Sequence, residues 1–494
     1  MLLYVRMLLT MAVSLYTSRV VLKVLGVEDF GIYNVVGGIV AMFSVISGSL
    51  SSAISRFITY ELGKGNQRNL QKIFSSAVSI QLCLSLFIIL LAESLGIWFL
   101  NNKMSIPINR IEAANWVFQL SLLTFIINLV SVPYNASIIA HEKMSAFAYI
   151  SILETTGRLA VAYFILISPI DKLIFYSILM CTVALIVRFT YGFYCKKHFT
   201  ECVYIFTWDK QLLKQMFNFA GWNFIGASSS VLRDQGGNIV INLFCGPTVN
   251  AARGIAFQVH TAVQAFVTNF MTALNPQITK SYASGNNEYM MSLIFQGARF
   301  SFYLLLLISL PVLMNTQYIL QIWLENIPEH TILFVKLVLI FAMSESISQS
   351  LITAQLATGR IRNYQIIVGG LQMLNLPISY IGLKFGLIPE TVMIVAITIS
   401  QCCLAARLYM LKSMIGISVR QYLIKVYSNV IKVSITSTIL PIILSHYTPK
   451  SITGFILLTC ATIACTLTSI YYVGCNREEQ QFIQTKIKNI KSKI

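Results

Sequence analysis

Long apolar runs separated by short polar gaps dominate the chain from its first residues to about position 473. A helix that crosses the ~30 Å hydrocarbon core of a bilayer takes about 20 mostly apolar residues. About fourteen such runs can be laid out. They fall near 2–24, 31–57, 73–100, 113–139, 146–168, 172–195, 215–242, 250–275, 291–315, 330–356, 364–384, 389–411, 424–446 and 451–473. The pattern predicts an all-α membrane protein. The seventh and eighth runs are rich in Ser, Asn and Gly, so they should face water or other helices and not lipid. The first run opens abruptly, with Arg6 as its early charge, which suggests that residues upstream of Met1 are missing from this reading frame. It has no cleavage site of small residues, so it reads as a spanning helix, not a signal peptide.

Charge adds orientation. Lys and Arg gather on cytoplasmic loops. With the N-terminus inside, the inner gaps carry Lys64, Arg68, Lys72, Lys143, Lys196, Lys197, Lys210, Lys214, Lys280, Arg360, Arg362, Lys412, Arg420 and Lys425. The outer gaps carry little beyond Lys103, Arg110, Lys172 and Lys450. Both termini are therefore expected in the cytoplasm, with 476–494 as a basic tail near the headgroups. Composition agrees: 56% of the 494 residues are hydrophobic and 11% charged, with mean hydropathy +0.72. A soluble domain carries roughly 25% charged residues. The net charge of +18 follows from these loops, so no nucleic-acid partner is implied.

A shift of about 220 residues brings Leu25-Gly26 near Phe244-Cys245-Gly246 and Gly65-Asn66 onto Gly285-Asn286. Ala140-His141-Glu142-Lys143 resembles Ala357-Thr358-Gly359-Arg360 in position. These matches divide the chain into two pseudo-symmetric six-helix lobes, 1–200 and 201–412, then two additional helices at 413–475 and the tail. Such repeats are common in secondary transporters, with the substrate held at the repeat interface.

No P-loop, HExxH, GxSxG or dinucleotide fingerprint is present, and all gaps are short, so neither an ATP-driven pump nor an enzyme is expected. The ten cysteines are mostly scattered and show no metal-ligand spacing. No cofactor and no metal are expected. The informative residues are charges inside the apolar runs, each of which costs ~2.5–3.5 kcal/mol or more at mid-bilayer. Arg188 and Arg407 lie near run ends and should snorkel to headgroups. Glu154 and Arg158 share a helix face and can neutralise each other, and they are also candidates for a cavity or for ion coupling. Arg233 and Asp234 are adjacent, point in different directions, and so should not pair; with Glu345 they are candidates for a cavity or for ion coupling. Arg19, Arg56 and Arg253 lie on the first, second and eighth runs. An arginine cluster there would suit a polyanionic substrate, because the guanidinium fork matches phosphate oxygens.

Several motifs carry a family resemblance. Leu15-Tyr16-Thr17-Ser18-Arg19, Leu25-Gly26-Val27-Glu28-Asp29-Phe30-Gly31-Ile32-Tyr33, Arg56-Phe57, Gly246-Pro247-Thr248-Val249-Asn250-Ala251-Ala252-Arg253 and Asn275-Pro276-Gln277-Ile278 are among them. The chain resembles Wzx-type O-antigen and capsule flippases, in the polysaccharide transporter branch of the multidrug/oligosaccharidyl-lipid/polysaccharide exporter superfamily. The resemblance implies two six-helix lobes meeting in a V. It implies a bacterial inner-membrane location and transport of an undecaprenyl-pyrophosphate-linked oligosaccharide from the inner to the outer leaflet by alternating access. It also implies partners in the bilayer and in a glycan polymerase or chain-length regulator. By similarity to lipid II flippases, Arg19, Arg56 and Arg253 would hold the diphosphate. The competing reading is a MATE-like cation-coupled drug exporter, against which the first run, lacking Asp and Glu, speaks.

Overall fold

The computed structural model describes residues 2–41, 43–103, 107–206, 209–324, 327–448, 451–481 and 484–485. Among them every regular element is helical. The basic end of the tail, 486–494, lies outside the described residues.

Among the described residues ten helices are long and apolar enough to cross a membrane: Gln67–Asn102, Ile108–Ala140, Met144–Ile167, Lys172–His198, Asn287–Met314, Thr331–Ala357, Arg362–Lys384, Thr391–Ile415, Val419–Tyr447 and Ile452–Gly474. The sequence suggested about fourteen. The remaining four runs lie within Leu2–Ala41, Ser44–Lys64 and Lys210–Ala283. Among the described residues the first of these contributes the apolar stretch Leu3–Ser14, and the last is interrupted by polar residues such as Arg233, Asp234 and Asn238.

The expected gaps after the first and seventh runs shrink to tight kinks. Leu2–Ala41 is two helices joined at Gly26 (φ 81°, ψ 171°), and Lys210–Ala283 is two helices joined at Gly246 (φ 79°, ψ 179°). This backbone region is essentially closed to residues with a Cβ. The two breaks stand 220 residues apart, the interval of the sequence repeat (246 − 26). The repeat recurs in finer detail. Gly65 and Gly285 both take positive φ, at 73° and 76°. Their amides donate to Leu62 and Tyr282 carbonyls at 3.2 Å each. Asn66 and Asn286 then cap the next helices, accepting from the amides of Asn69 and Tyr289 at 3.2 Å each. A side-chain oxygen there satisfies one of the helix's unbonded N–H groups. After the helix ends at Ala140 and Ala357, Glu142 and Gly359 again turn with φ 58° and 74°.

The chain forms two compact units. The first comprises Met1–Ala227 with Thr279–Gly285. Its core includes the fully buried Val36, Ile88, Val117 and Phe118, packed across three helices. Inside a bilayer such burial gains dispersion contacts and not release from water, so close fit matters more than apolar area. Gly63 illustrates this: a Cβ there would stand 2.8 Å from the Lys280 Cα. Polar clasps tie the helix ends. Arg110 donates to Asp29 (Nε to Oδ1, 2.7 Å) and to Asp171 (2.6 Å). His141 bonds Glu201 at 2.5 Å and stacks on Phe199. Burial pushes the Glu201 carboxyl up, but the His141 hydrogen bond, a backbone hydrogen bond and the His141 charge together hold the group below the usual range.

The second unit comprises Ser228–Ile278 and Asn286–Ile494. Phe334, Phe341, Leu351 and Tyr422 are fully buried in it, and the Tyr422 hydroxyl donates to the Ile347 carbonyl at 2.8 Å. Val419–Tyr447 and Ile452–Gly474 pack on Asn287–Met314. There the buried Arg299 donates to the Gly474 carbonyl (3.0 Å) and to Glu479 (2.6 Å). Arg407 is buried too, its Nε donating to the Tyr364 hydroxyl at 3.3 Å. It does not snorkel as its position near a helix end suggested, because Tyr364 offers it an acceptor inside the bundle.

Candidate functional site: two membrane-embedded polar clusters

In the second unit the polar residues of the two helices joined at Gly246 converge. Arg233 points inward and is only 12% exposed. Its Nε donates to Asp234 Oδ1 at 2.9 Å and its Nη1 to Glu345 Oε1 at 2.8 Å. The expectation that Arg233 and Asp234 could not pair is thus corrected. Neighbouring Cα–Cβ directions do diverge, but the arginine side chain is long enough to fold back over its neighbour while still reaching Glu345. The guanidinium also lies 5.1 Å from the centroid of the Phe341 ring.

About two turns beyond the kink at Gly246, on the helix that follows it, Arg253 is 3% exposed. Its Nη1 donates to Asn238 Oδ1, and its guanidinium sits 4.3 Å from the Phe257 ring centroid. It forms no ion pair among the described residues, and its buried Nε has no hydrogen-bond partner. The absence of a side chain at Gly237 makes room for it, since a Cβ there would stand 2.8 Å from Nη2. Arg253, Arg233, Asp234 and Gly237 enclose, with Asn375 and Ser379, a cavity of about 10 Å³. That is the space of about one water. The buried Asn375 Oδ1 and Ser379 Oγ have no partner. Sequence reasoning missed both residues; their signal was weak, two small polar side chains at i and i+4 in an otherwise apolar run.

In the first unit Arg56 lies among aromatic rings, 4.6 Å from the centroid of Tyr60, 4.8 Å from that of Phe57 and 5.7 Å from that of Phe219. Such faces attract a cation without neutralising it. Arg19 lies on Leu2–Ala41, but its side chain falls outside the described residues. Glu154 and Arg158 do pair, at 2.5 Å across one helical turn. They line a cavity of about 470 Å³ together with Arg6, Ser14, Thr17 and Ser151. Arg6 Nη1 donates to Ser151 Oγ at 3.1 Å, and the Thr10 and Thr155 hydroxyls meet at 3.2 Å. The sequence singled out Glu154 and Arg158 but not Arg6 or the hydroxyl lining, whose residues lie on two helices some 145 positions apart. Arg56 belongs to the first unit and Arg253 to the second. No group of three or more His, Cys, Asp or Glu side chains suited to a metal occurs among the described residues.

Residues 1–282 match the family model described as polysaccharide biosynthesis protein. A curated relative is the uncharacterized membrane protein EpsK of Bacillus subtilis (strain 168), 20% identical over 306 residues. That alignment covers 61% of this chain and 59% of EpsK, so the chain spans less than two thirds of that relative. Solved structures share the fold. A MATE in the straight conformation matches with TM-score 0.73 at 12% identity, over 84% of this chain and 95% of that one. An outward-facing multidrug resistance MATE family transporter of the MOP superfamily gives 0.71 at 13%, over 84% and 95%. A MOP superfamily transporter from Pyrococcus furiosus, described as having a binding pocket of reverse polarity, gives 0.68 at 12%, over 84% and 95%. This multi-pass helical chain belongs to the polysaccharide biosynthesis protein family and has the fold of MATE and MOP-superfamily transporters.

Proposed function

We propose that the protein is a flippase that moves an oligosaccharide linked to undecaprenyl diphosphate from the inner to the outer leaflet of a bacterial cytoplasmic membrane. The observation that carries this reading is Arg253, a guanidinium buried in a membrane bundle with no carboxylate paired to it among the described residues. Holding such a charge in place is costly, and a bound phosphate would offset the cost. Membership of the polysaccharide biosynthesis protein family supports a glycan-bearing substrate. In the present conformation the cavity at Arg253 has room for about one water. The diphosphate would therefore bind only after the surrounding helices part, as an alternating-access cycle requires. Arg56 and Arg19 are the other basic positions of the reading.

Asp234 is its coupling carboxylate. It stands beside the partnerless oxygens of Asn375 and Ser379, a set that could take up a proton or a small monovalent cation. Arg233 would then act as the competing charge, bridging Asp234 and Glu345 when the cation is absent. Glu154 and Arg158 would serve the first unit's cavity as a neutral pair.

The test is flipping of a labelled undecaprenyl-diphosphate oligosaccharide in proteoliposomes. Arg253→Ala should lower the rate by about 10- to 100-fold, the loss of a charge-assisted hydrogen bond worth ~1.5–3 kcal/mol. Full activity in a variant with Arg19, Arg56 and Arg253 all changed to alanine would overturn the diphosphate role. Asp234→Asn should abolish the response to an imposed ion gradient while leaving substrate binding in place. Export of cationic drugs without any flipping would instead favour the small-molecule exporter reading, which the fold likeness to multidrug MATE transporters also supports.

A further inference from the structure

A groove of about 580 Å³ lies within the second unit, between the N-terminal half of Asn287–Met314 and the start of Val419–Tyr447. It is separate from the Arg253 cluster and shares no residue with it. Two facing polar ladders line it. Ser292 and Gln296 lead down one helix to Arg299, and Gln421, Lys425 and Asn429 repeat every fourth residue on the other. Both ladders follow the one-face spacing of an α-helix. From Asn287 to Arg299 the groove runs about 18 Å along its helix.

Its chemistry is that of an unfilled site. The exposed Lys425 has no ion pair among the described residues. The buried Arg299 gives Nη1 to Gly474 and Nη2 to Glu479, and its Nε is left without a partner. Asn429 donates to the Gly474 carbonyl at 3.3 Å, and its own buried Oδ1 lacks a donor. Glu288, the one carboxylate on the lining, sits about 16 Å from Arg299 along the helix, at the groove's mouth. The flanks are apolar and open, with Leu423 45%, Ile424 59% and Ile431 46% exposed. Polar walls inside a spanning helix pair, bordered by lipid-facing apolar side chains, fit an amphipathic ligand better than a free ion.

We propose that this groove seats the headgroup of an anionic glycerophospholipid. The phosphate meets Lys425 and the Arg299 Nε–H, a headgroup hydroxyl donates to Asn429 Oδ1, and the acyl chains lie along Leu423, Ile424 and Ile431. Basic pockets between spanning helices on the cytoplasmic side are suited to such headgroups. The Lys and Arg distribution assigns this end of both helices to that side.

The test is thermal unfolding of the full-length protein in neutral detergent, titrated separately with phosphatidylglycerol, phosphatidylcholine of the same chains, and inorganic phosphate. Phosphatidylglycerol alone should raise the midpoint. Lys425→Gln should weaken its apparent affinity about five-fold, the worth of one lysine near an anionic surface. Lys425→Arg should retain it. Lys432→Gln, exposed on the same helix but outside the groove, should match the wild type. The proposal is overturned if Lys425→Gln binds like the wild type, if Lys432→Gln weakens binding as much, or if inorganic phosphate stabilises as well as the lipid does.

Discussion

Replacing Gly246 with alanine isolates what the kink between its two helices costs. At φ 79°, ψ 179° the residue occupies a region in which a Cβ is strained by about 1–3 kcal/mol. A Cβ built there would meet nothing within 4 Å, so the penalty is confined to the backbone. Alanine also restricts the unfolded chain, which returns about 0.4–1 kcal/mol. The net loss should be about 1–2 kcal/mol. Gly254 is the control: it lies on the helix that follows the kink, also has nothing within 4 Å, and takes no positive φ. Alanine there should stabilise by about 0.5–1 kcal/mol. Equilibrium unfolding in mixed micelles with rising denaturing detergent measures both variants on one scale, where they should differ by about 2 kcal/mol. Gly26→Ala should fall beside Gly246→Ala, because the dihedrals are nearly the same. If Gly246→Ala proves no less stable than Gly254→Ala, the claim that the break depends on glycine fails.

Arg233→Leu should cost about 3–5 kcal/mol, since it strands the part-buried Glu345, whereas Arg233→Leu combined with Glu345→Leu should recover much of the loss; a double-mutant cycle in the same micelles reads the coupling. Gly237→Ala should displace the Arg253 guanidinium 2.8 Å away and reduce flipping nearly as far as Arg253→Ala, with a smaller effect on unfolding. Glu201 has a depressed carboxyl pKa in the folded protein, so its pairing with His141 stabilises above the unfolded value of about 4.3 and is lost as pH falls below it. Glu201→Gln should flatten the acid limb of a stability profile below about pH 4.5 and leave the neutral region shifted by a constant amount; an unchanged acid limb would remove Glu201 as its source.

Much of this architecture could be read from the chain, because membrane helices announce themselves through length and apolarity. The repeat was legible for a different reason. Gly26, Gly65, Asn66 and their partners at Gly246, Gly285 and Asn286 are residues whose type is dictated by backbone geometry, so weak sequence matches there carried structural content. Hydropathy predicted a gap of several residues between the seventh and eighth runs, whereas the two helices meet at a kink on Gly246. The polar residues of the helices flanking Gly246 blur their ends in a hydropathy profile. The side-chain errors have a common origin. Reading Arg233 and Asp234 from helical angles neglected how far a guanidinium reaches, and reading Arg407 from its distance to the helix end neglected the acceptor at Tyr364. Asn375, Ser379, Arg6 and Thr17 escaped notice because only packing between distant segments reveals that they share cavities.

The paired breaks at Gly26 and Gly246 also bear on how this chain arose. Two hinges of one dihedral, followed by matched turns and matched asparagine caps at a constant interval, are what an ancestral gene duplication and fusion would leave behind. The arginines do not follow that inheritance: the positions corresponding to Arg19, Arg56 and Arg253 hold Ile239, Pro276 and Tyr33. The backbone geometry recurs at the paired positions while the residue chemistry at the arginine positions differs. Each half is therefore a natural control for the other: a substitution that merely perturbs the shared framework should be felt equally at either copy, and one that touches specialised chemistry should be felt at one copy only.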